Sequence, residues 1–365
     1  MYSLFVTPRR VAPSAAASYQ LRRSSFGSEV SEDLPVLEPS TDGHLQLLQV
    51  IDCGSEVMCC RFNKEGTLLA VGLMNGNIKI YQRSDGACVY HLSDEDTINS
   101  GLPVTQLQFL PQAPALTGDI IAASYASGYV KFWHVSTQSC LSTVLEDRQT
   151  FTVAFNSSGT RFTTAGSSTR IYVYDTETKE TINVCQPSPS STVMNGHRFH
   201  VFAVTFHPDY DDCFISGGWD DTVQFWNVNN QHSVRKLFGP HVCGDALQID
   251  PTTNQILTGS WRKDNALQIW DYETGAKTHE VPNDVRGHSL IYSCRWVGDY
   301  IAVGGTRFNM FRLIDKHSLM TKGCLINLPQ GVYSIDVIES EYARPIIAVS
   351  SRNEIYMVEK TSGTN

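Results

Sequence analysis

No apolar run in the 365 residues reaches eighteen positions, the length that a membrane-crossing helix needs. Nothing after Met1 reads as a secretory h-region. The ten cysteines include the neighbours Cys59 and Cys60 but form no C-x-x-C pair. Zinc sites draw on closely spaced ligand pairs, so no metal is expected. Most of the cysteines sit in apolar runs such as "VMCCRF" and "IYSCRW", as small buried residues do. A reduced intracellular home follows, cytoplasmic or nuclear. An excess of positive charge is also missing. The net charge is −9, and an acidic chain repels phosphate, so direct nucleic-acid binding is not expected. Nor does the sequence hold G-x-G-x-x-G, a P-loop, H-E-x-x-H or G-x-S-x-G, which argues against an enzyme and against a cofactor.

Residues 1–43 differ from the rest. They hold four arginines in an acid-free opening, then Glu29, Glu32, Asp33, Glu38 and Asp42, with Pro8, Pro13, Pro35 and Pro39 interrupting any long helix. This composition reads as a disordered tail. Its Arg/Ser-rich start also has the look of a mitochondrial transit peptide, although the prolines break the amphipathic helix such a signal needs. "RRSS" resembles a basophilic kinase site, with Ser24 and Ser25 as acceptors.

What is present in quantity is a repeat. "TLLAVGLMNGNIKIYQ" (67–82), "IIAASYASGYVKFWHV" (120–135), "RFTTAGSSTRIYVYDT" (161–176), "CFISGGWDDTVQFWNV" (213–228), "QILTGSWRKDNALQIWDY" (255–272), "YIAVGGTRFNMFRLID" (300–315) and "PIIAVSSRNEIYMVEK" (345–360) share one pattern. Each reads as two strands around a tight turn. A further apolar run precedes each pair, and a fourth strand-like run follows several. Four strands at a period of roughly 40 residues predict an all-β, seven-bladed β-propeller.

The fourth unit, "GHRFHVFAVTFHPD" followed by "FISGGWDDTVQFWN", resembles the WD-repeat family, and the fifth supplies the pair Trp270-Asp271 itself. The resemblance covers about residues 44 to 360. Other units depart from it, with Asn227, His134 and Gln82 in place of the aspartate, and "GPH" sets His241 one residue off the Gly-His register. The resemblance implies a structural tetrad of Asp220, His197, Ser216 and Trp226. Buried polar groups need partners, and Ser216 lies mid-strand in an apolar run. The chemistry that imitates a catalytic triad is therefore read as architecture.

The seventh unit leaves only Thr361 to Asn365, too few residues for a fourth strand, whereas "HLQLLQVI" (44–51) is strand-like and unassigned. Pairing the two closes the ring and leaves no open edge there. The expected domains are a tail (1–43), the propeller (44–361) closed by 44–51, and a short end (362–365).

Rigid blades hold loops in place for binding. Trp219, Trp261 and Tyr125 are assigned to the turns after second strands, with Arg262, Arg307 and Phe308 nearby and Phe199, His200 and His241 in the links between blades. Aromatics and arginines on an exposed face are common interface anchors. The alternative is that these rings only cap the blade tops. The link "CQPSPSSTVMNGH" is expected to be mobile and open to modification. The leading function is a non-enzymatic scaffold that binds partner peptides or domains on this face, as a monomeric propeller within a larger complex. An alternative is a substrate receptor of a cullin-type ubiquitin ligase. Such receptors carry an arginine two residues after the Trp-Asp pair, where this chain has Glu273 after "WDY" and Asn229 after "WNV". A propeller enzyme is a third reading.

Overall fold

The computed structural model describes residues 37–111, 119–190, 192–340 and 343–361. Met1–Glu38 and Pro39–Asn365 separate as two units, and the elements below belong to the second. The expectations for the tail before residue 37, including Ser24, Ser25 and any import signal, lie outside the described residues.

Seven antiparallel sheets form the seven blades of a β-propeller, six of them built on four strands consecutive in the chain and the seventh on three such strands and one from elsewhere. Blade four shows the plan. Val201–Phe206 is innermost, Cys213–Gly218 and Thr222–Asn227 follow, and Arg235–Phe238 is outermost. The innermost strands are buried almost throughout, as in Thr150–Phe155 of blade three, whereas an outer strand such as Ser139–Leu145 of blade two alternates exposed and half-buried residues. A strand packed on both faces needs a continuous apolar run, and a strand at the rim needs only one apolar side. The core lies between blades. Ala154 and Val173 of blade three pack with Val204, Phe214 and Trp226 of blade four in one buried cluster. Among the described residues the one helix is Glu95–Ser100, capped by Asp94, and no helix is long and apolar enough to cross a membrane.

Blade seven comprises Ile335–Ser340, Ala343–Ser351 and Glu354–Lys360, and its outer strand comes from the other end of the chain, Leu45–Asp52. Leu45 faces Lys360 and Asp52 faces Glu354, and the side chains of Leu45 and Ile51 are buried.

The start of this segment differs from the sequence reading. Ser40–Gly43, grouped there with the tail, pairs with Thr321–Ile326 as a fifth strand on blade six. Asp42 pairs with Arg286. Gly43, at φ 73°, lets the chain leave blade six for blade seven, and a side chain there would bring a Cβ within 2.4 Å of the Lys322 carbonyl oxygen. No periodicity marks a four-residue edge strand of this kind.

Candidate functional site on the loop face

In blade four, the turn after Cys213–Gly218 and the link before Val201–Phe206 bring four side chains into one chain of hydrogen bonds. His197 Nδ1 lies 2.9 Å from Asp220 Oδ2, and His197 Nε2 lies 2.7 Å from Ser216 Oγ. The Trp226 indole donates to the same Ser216 oxygen at 2.7 Å. Asp220 also accepts from the Arg198 amide at 2.8 Å and the Thr222 hydroxyl at 2.8 Å. Burial alone would raise the Asp220 pKa, but the His197 hydrogen bond and charge outweigh it and hold the carboxyl below its ordinary range. Ser216 is fully buried between its two partners, with no room for a substrate carbonyl.

Asp221 has a different task. At φ 59° it holds the left-handed corner of the turn, half-exposed, and it accepts from His241 at 2.7 Å and Arg262 at 2.6 Å. Asp220→Ala is expected to lower stability by about 1–3 kcal/mol through the partners it leaves unsatisfied. From sequence, Asp221→Ala reads as nearly neutral. The left-handed corner raises its expected cost to about 1 kcal/mol, and Asp221→Asn, which tolerates that corner, stays under about 0.5 kcal/mol. Denaturant melts of the three variants check the ranking, and equal losses for Asp220→Ala and Asp221→Asn would refute it.

Other blades solve the same problem with different residues. In blade two, Ala123 takes the strand position that Ser216 holds in blade four, and Tyr125 takes that of Gly218. The Trp133 indole therefore donates to the Tyr125 hydroxyl, at 3.2 Å, and Tyr125 is fully buried. This corrects its assignment to the binding face. The residue at the Trp219 position of blade two is Ala126, one further on. The alternation of the strand, with Ile121, Ala123 and Tyr125 on one side, carried the signal. In blade three, Glu146 stands where blade four has His197, four residues before the innermost strand. It accepts from the Tyr174 hydroxyl, the Thr150 hydroxyl and Arg148 Nε, each at 2.8 Å, and from Thr164 Oγ1.

A repeated backbone bond fixes the loop face. In four blades the residue after the second strand donates its amide to the residue before the innermost strand: Met74 to Glu56, Ala126 to Pro103, Ser167 to Gln149 and Trp219 to His200. In blade five, Trp261, which the register of Ile256 on Trp270 sets level with Trp219, donates to His241 in the link instead. Blades four and five thus present a tryptophan at one common position. The innermost strands add bulges at Met58, Thr105, Phe151, Phe202 and Tyr292, and bulges re-aim side chains. Phe151 stacks on Phe202 with centroids 4.9 Å apart. Trp219 covers Phe202 at 5.2 Å, His200 lies 5.1 Å from Trp219, and the His241 ring runs parallel to Trp219 at 6.5 Å. The Trp219 indole donates to Cys243 Sγ at 2.9 Å, and burial pushes that thiol up to about 12.

The structure therefore brings together Trp219, His200, His241 and, through Asp221, Arg262. Trp261 joins through its backbone bond to His241, and Phe199 stands beside them, 60% exposed. Arg307 and Phe308 form a separate group in blade six, Arg307 against His288 at 3.1 Å and the Phe308 carbonyl against Ser289 at 3.0 Å. Sequence reasoning missed Phe151 and Phe202, which underlie the patch from within strands.

It also missed the channel. Asp245, just before the innermost strand of blade five, pairs with Arg61 of blade one and Arg295 of blade six, and accepts from Gln106 of blade two at 3.2 Å. Asp336 of blade seven meets Arg61 at 3.2 Å and accepts the Phe62 amide at 2.7 Å. A polar cavity of about 370 Å³ lies beside this cluster, lined also by Gln108, Thr205 and Gln248. Burial works against the Asp245 charge, but Arg295 and Arg61 prevail and hold the carboxyl well below the usual carboxylate range.

Known proteins resemble the chain along most of the propeller. The mouse (Mus musculus) dynein axonemal intermediate chain 4 is 26% identical over 312 residues, which is 74% of this chain and 37% of that protein. The Arabidopsis thaliana transcriptional corepressor LEUNIG_HOMOLOG is 24% identical over 49% of this chain and 21% of its own. The rice (Oryza sativa subsp. japonica) small ribosomal subunit protein RACK1y is 29% identical over 27% of this chain and 29% of its own. This chain thus spans well under half of each of these relatives. The profile of the anaphase-promoting complex subunit 4 WD40 domain matches residues 46–112, from the closing strand into blade two. That of the WD domain, G-beta repeat, matches residues 188–227, the stretch that holds His197, Ser216, Asp220 and Trp226, and the chain is accordingly a WD-repeat β-propeller.

Proposed function

We propose that the protein is a non-enzymatic interaction scaffold that binds segments of partner proteins on the loop face of blades three to five. The observation that carries this reading is the pile of rings there. Phe151 and Phe202 form a buried base, Trp219, His200 and His241 lie half-buried over it, and Phe199 projects beyond. A large ring at a loop surface keeps part of its area in water, a cost that binding removes. The base holds the upper rings in one orientation, so little side-chain entropy is lost when a partner lands on them. Arg262 beside Trp261 adds a charged contact suited to a peptide carboxylate or an aromatic ring. Relatives whose names place them in a dynein complex, a ribosomal subunit and a corepressor are in keeping with a propeller that works inside assemblies.

Trp219→Ala and Trp261→Ala are each expected to keep the fold and to weaken the principal partner by about 2 kcal/mol, roughly thirtyfold in affinity. Quantitative affinity capture from the protein's own cells, with melting curves of each variant, checks this. Retention of every partner at wild-type level by both variants would sink the proposal. Loss of the fold would mean that the rings serve the blades alone.

A further inference from the structure

The link between blades three and four, expected from sequence to be mobile, is tied to the rim of blade four. The Gln186 amide donates to the Gln231 carbonyl at 2.8 Å, and the Ser233 amide to the Asn195 carbonyl at 3.0 Å. The Ser188 amide donates to Asn195 Oδ1 at 3.0 Å. Two cations close on the same link. Arg198 Nη2 donates to the carbonyls of Ser190 and Val193, both at 2.7 Å, and Lys236 Nζ donates to the carbonyl of Met194 at 2.7 Å. Among the described residues neither cation enters an ion pair. Elsewhere on the propeller the guanidinium groups of Arg61, Arg148, Arg286 and Arg295 meet carboxylates, while Arg235 donates to the carbonyls of Tyr272 and Glu273. Here both cations donate to neutral carbonyls, with Lys236 also 5.4 Å from the Phe238 ring, in a link that offers the hydroxyls of Ser188, Ser190 and Thr192.

We propose that Ser190 is a phosphorylation site and that Arg198 and Lys236 form the clamp that holds its phosphate. Ser188 is unsuited, because its hydroxyl is buried and, among the described residues, has no hydrogen-bond partner. The Ser190 hydroxyl lies 3.0 Å from that of Thr192, and its own carbonyl already meets Arg198. In the modifying step a protein kinase transfers the γ-phosphoryl group of ATP. The bond from Ser190 Oγ to phosphorus forms, the bridging bond to ADP breaks, ADP leaves, and the hydroxyl proton passes to the kinase's base. The new dianion exchanges two neutral acceptors for charge-assisted hydrogen bonds with Arg198. The consequence reaches inward, because the Arg198 amide donates to Asp220 and the next residues are Phe199 and His200. This inference does not depend on what the loop face binds.

Two measurements test it. The chain isolated from its own cells with phosphatases inhibited is expected to carry phosphate on Ser190 by mass spectrometry, and an unmodified Ser190 overturns the site. The full chain with phosphoserine encoded at position 190 is then titrated by phosphorus NMR beside a free phosphopeptide of residues 186–195. Nearby cations favour the dianion, so its second pKa is expected to fall by at least about half a unit below the peptide's value of about 6. The combined variant Arg198→Gln with Lys236→Gln is expected to restore the peptide value. Identical titration of chain and peptide overturns the clamp without any variant, and a shift that survives the double substitution overturns its assignment to these two cations.

Discussion

Asp245→Ala is expected to destabilise the propeller by about 3–5 kcal/mol, more than Asp220→Ala. The carboxylate is shared by Arg61 and Arg295, whose side chains are 12% and 5% exposed. Removing it leaves two nearly buried guanidinium groups to share Asp336, 3.2 Å from Arg61 and 3.8 Å from Arg295, so the cost is that of a buried excess positive charge rather than of one lost bond. Asp336→Ala is expected to cost less, because Asp245 makes the closer contact with both arginines and would remain. The pH dependence has a definite sign. The Asp245 pKa lies below its ordinary value of 3.8, so its contribution is fully present above about pH 4 and is lost as pH falls toward the lowered value. The gap between wild type and Asp245→Ala should therefore be constant from pH 7 down to about pH 4 and then narrow. Guanidinium midpoints across that range check it. A variant within about 1 kcal/mol of wild type at pH 7 would mean that the arginines reach water and the cluster is only a surface network.

That cluster was not legible in the sequence, and the reason is physical. Arg61, Asp245, Arg295 and Asp336 come from blades one, five, six and seven. Their meeting depends on the ring's geometry, and no local pattern encodes it. The blades themselves were legible because a strand's side-chain period and a tight turn are local properties, and the repeat states them seven times. The Asp220–His197–Ser216–Trp226 chain was legible because all four residues belong to one blade. Tyr125 failed by a single position. A one-residue slip moves a side chain to the other face of a strand, so it was assigned to the face that Ala126 occupies. Glu146 and Arg148 sit in "LEDRQT", which reads as a solvated charged turn. They are buried because blade three has no histidine in its link, and the hydroxyls of Tyr174, Thr150 and Thr164 need another acceptor. Phe151 and Phe202 were passed over as ordinary strand residues. Their bulges are set by pairing with the next strand, and pairing is not visible in one segment alone.

Removing residues 1–52 is expected to have the largest effect of all, because it removes the strand on which Glu354–Lys360 pairs. Leu45 and Ile51 would lose their burial, a loss of about 3–6 kcal/mol for the two side chains. The backbone of Glu354–Lys360 would become an unpaired sheet edge, open to another chain's strand. Two shorter deletions separate this effect from that of the segment before it. Removing residues 1–38 leaves both Ser40–Gly43 and Leu45–Asp52 in place and is expected to leave the melting temperature unchanged. Removing residues 1–43 takes the fifth strand off blade six, with the Asp42–Arg286 pair. An exposed ion pair contributes about 0–1 kcal/mol, so a fall of a few degrees at most is expected from that loss. Melting curves and light scattering of the three truncations rank them. The 1–52 deletion should melt well below the others and scatter as its bare edge associates. If it melts with the full-length chain and stays monodisperse, Leu45–Asp52 does not hold the ring shut, and the stability of blade seven must come from its packing on blades six and one.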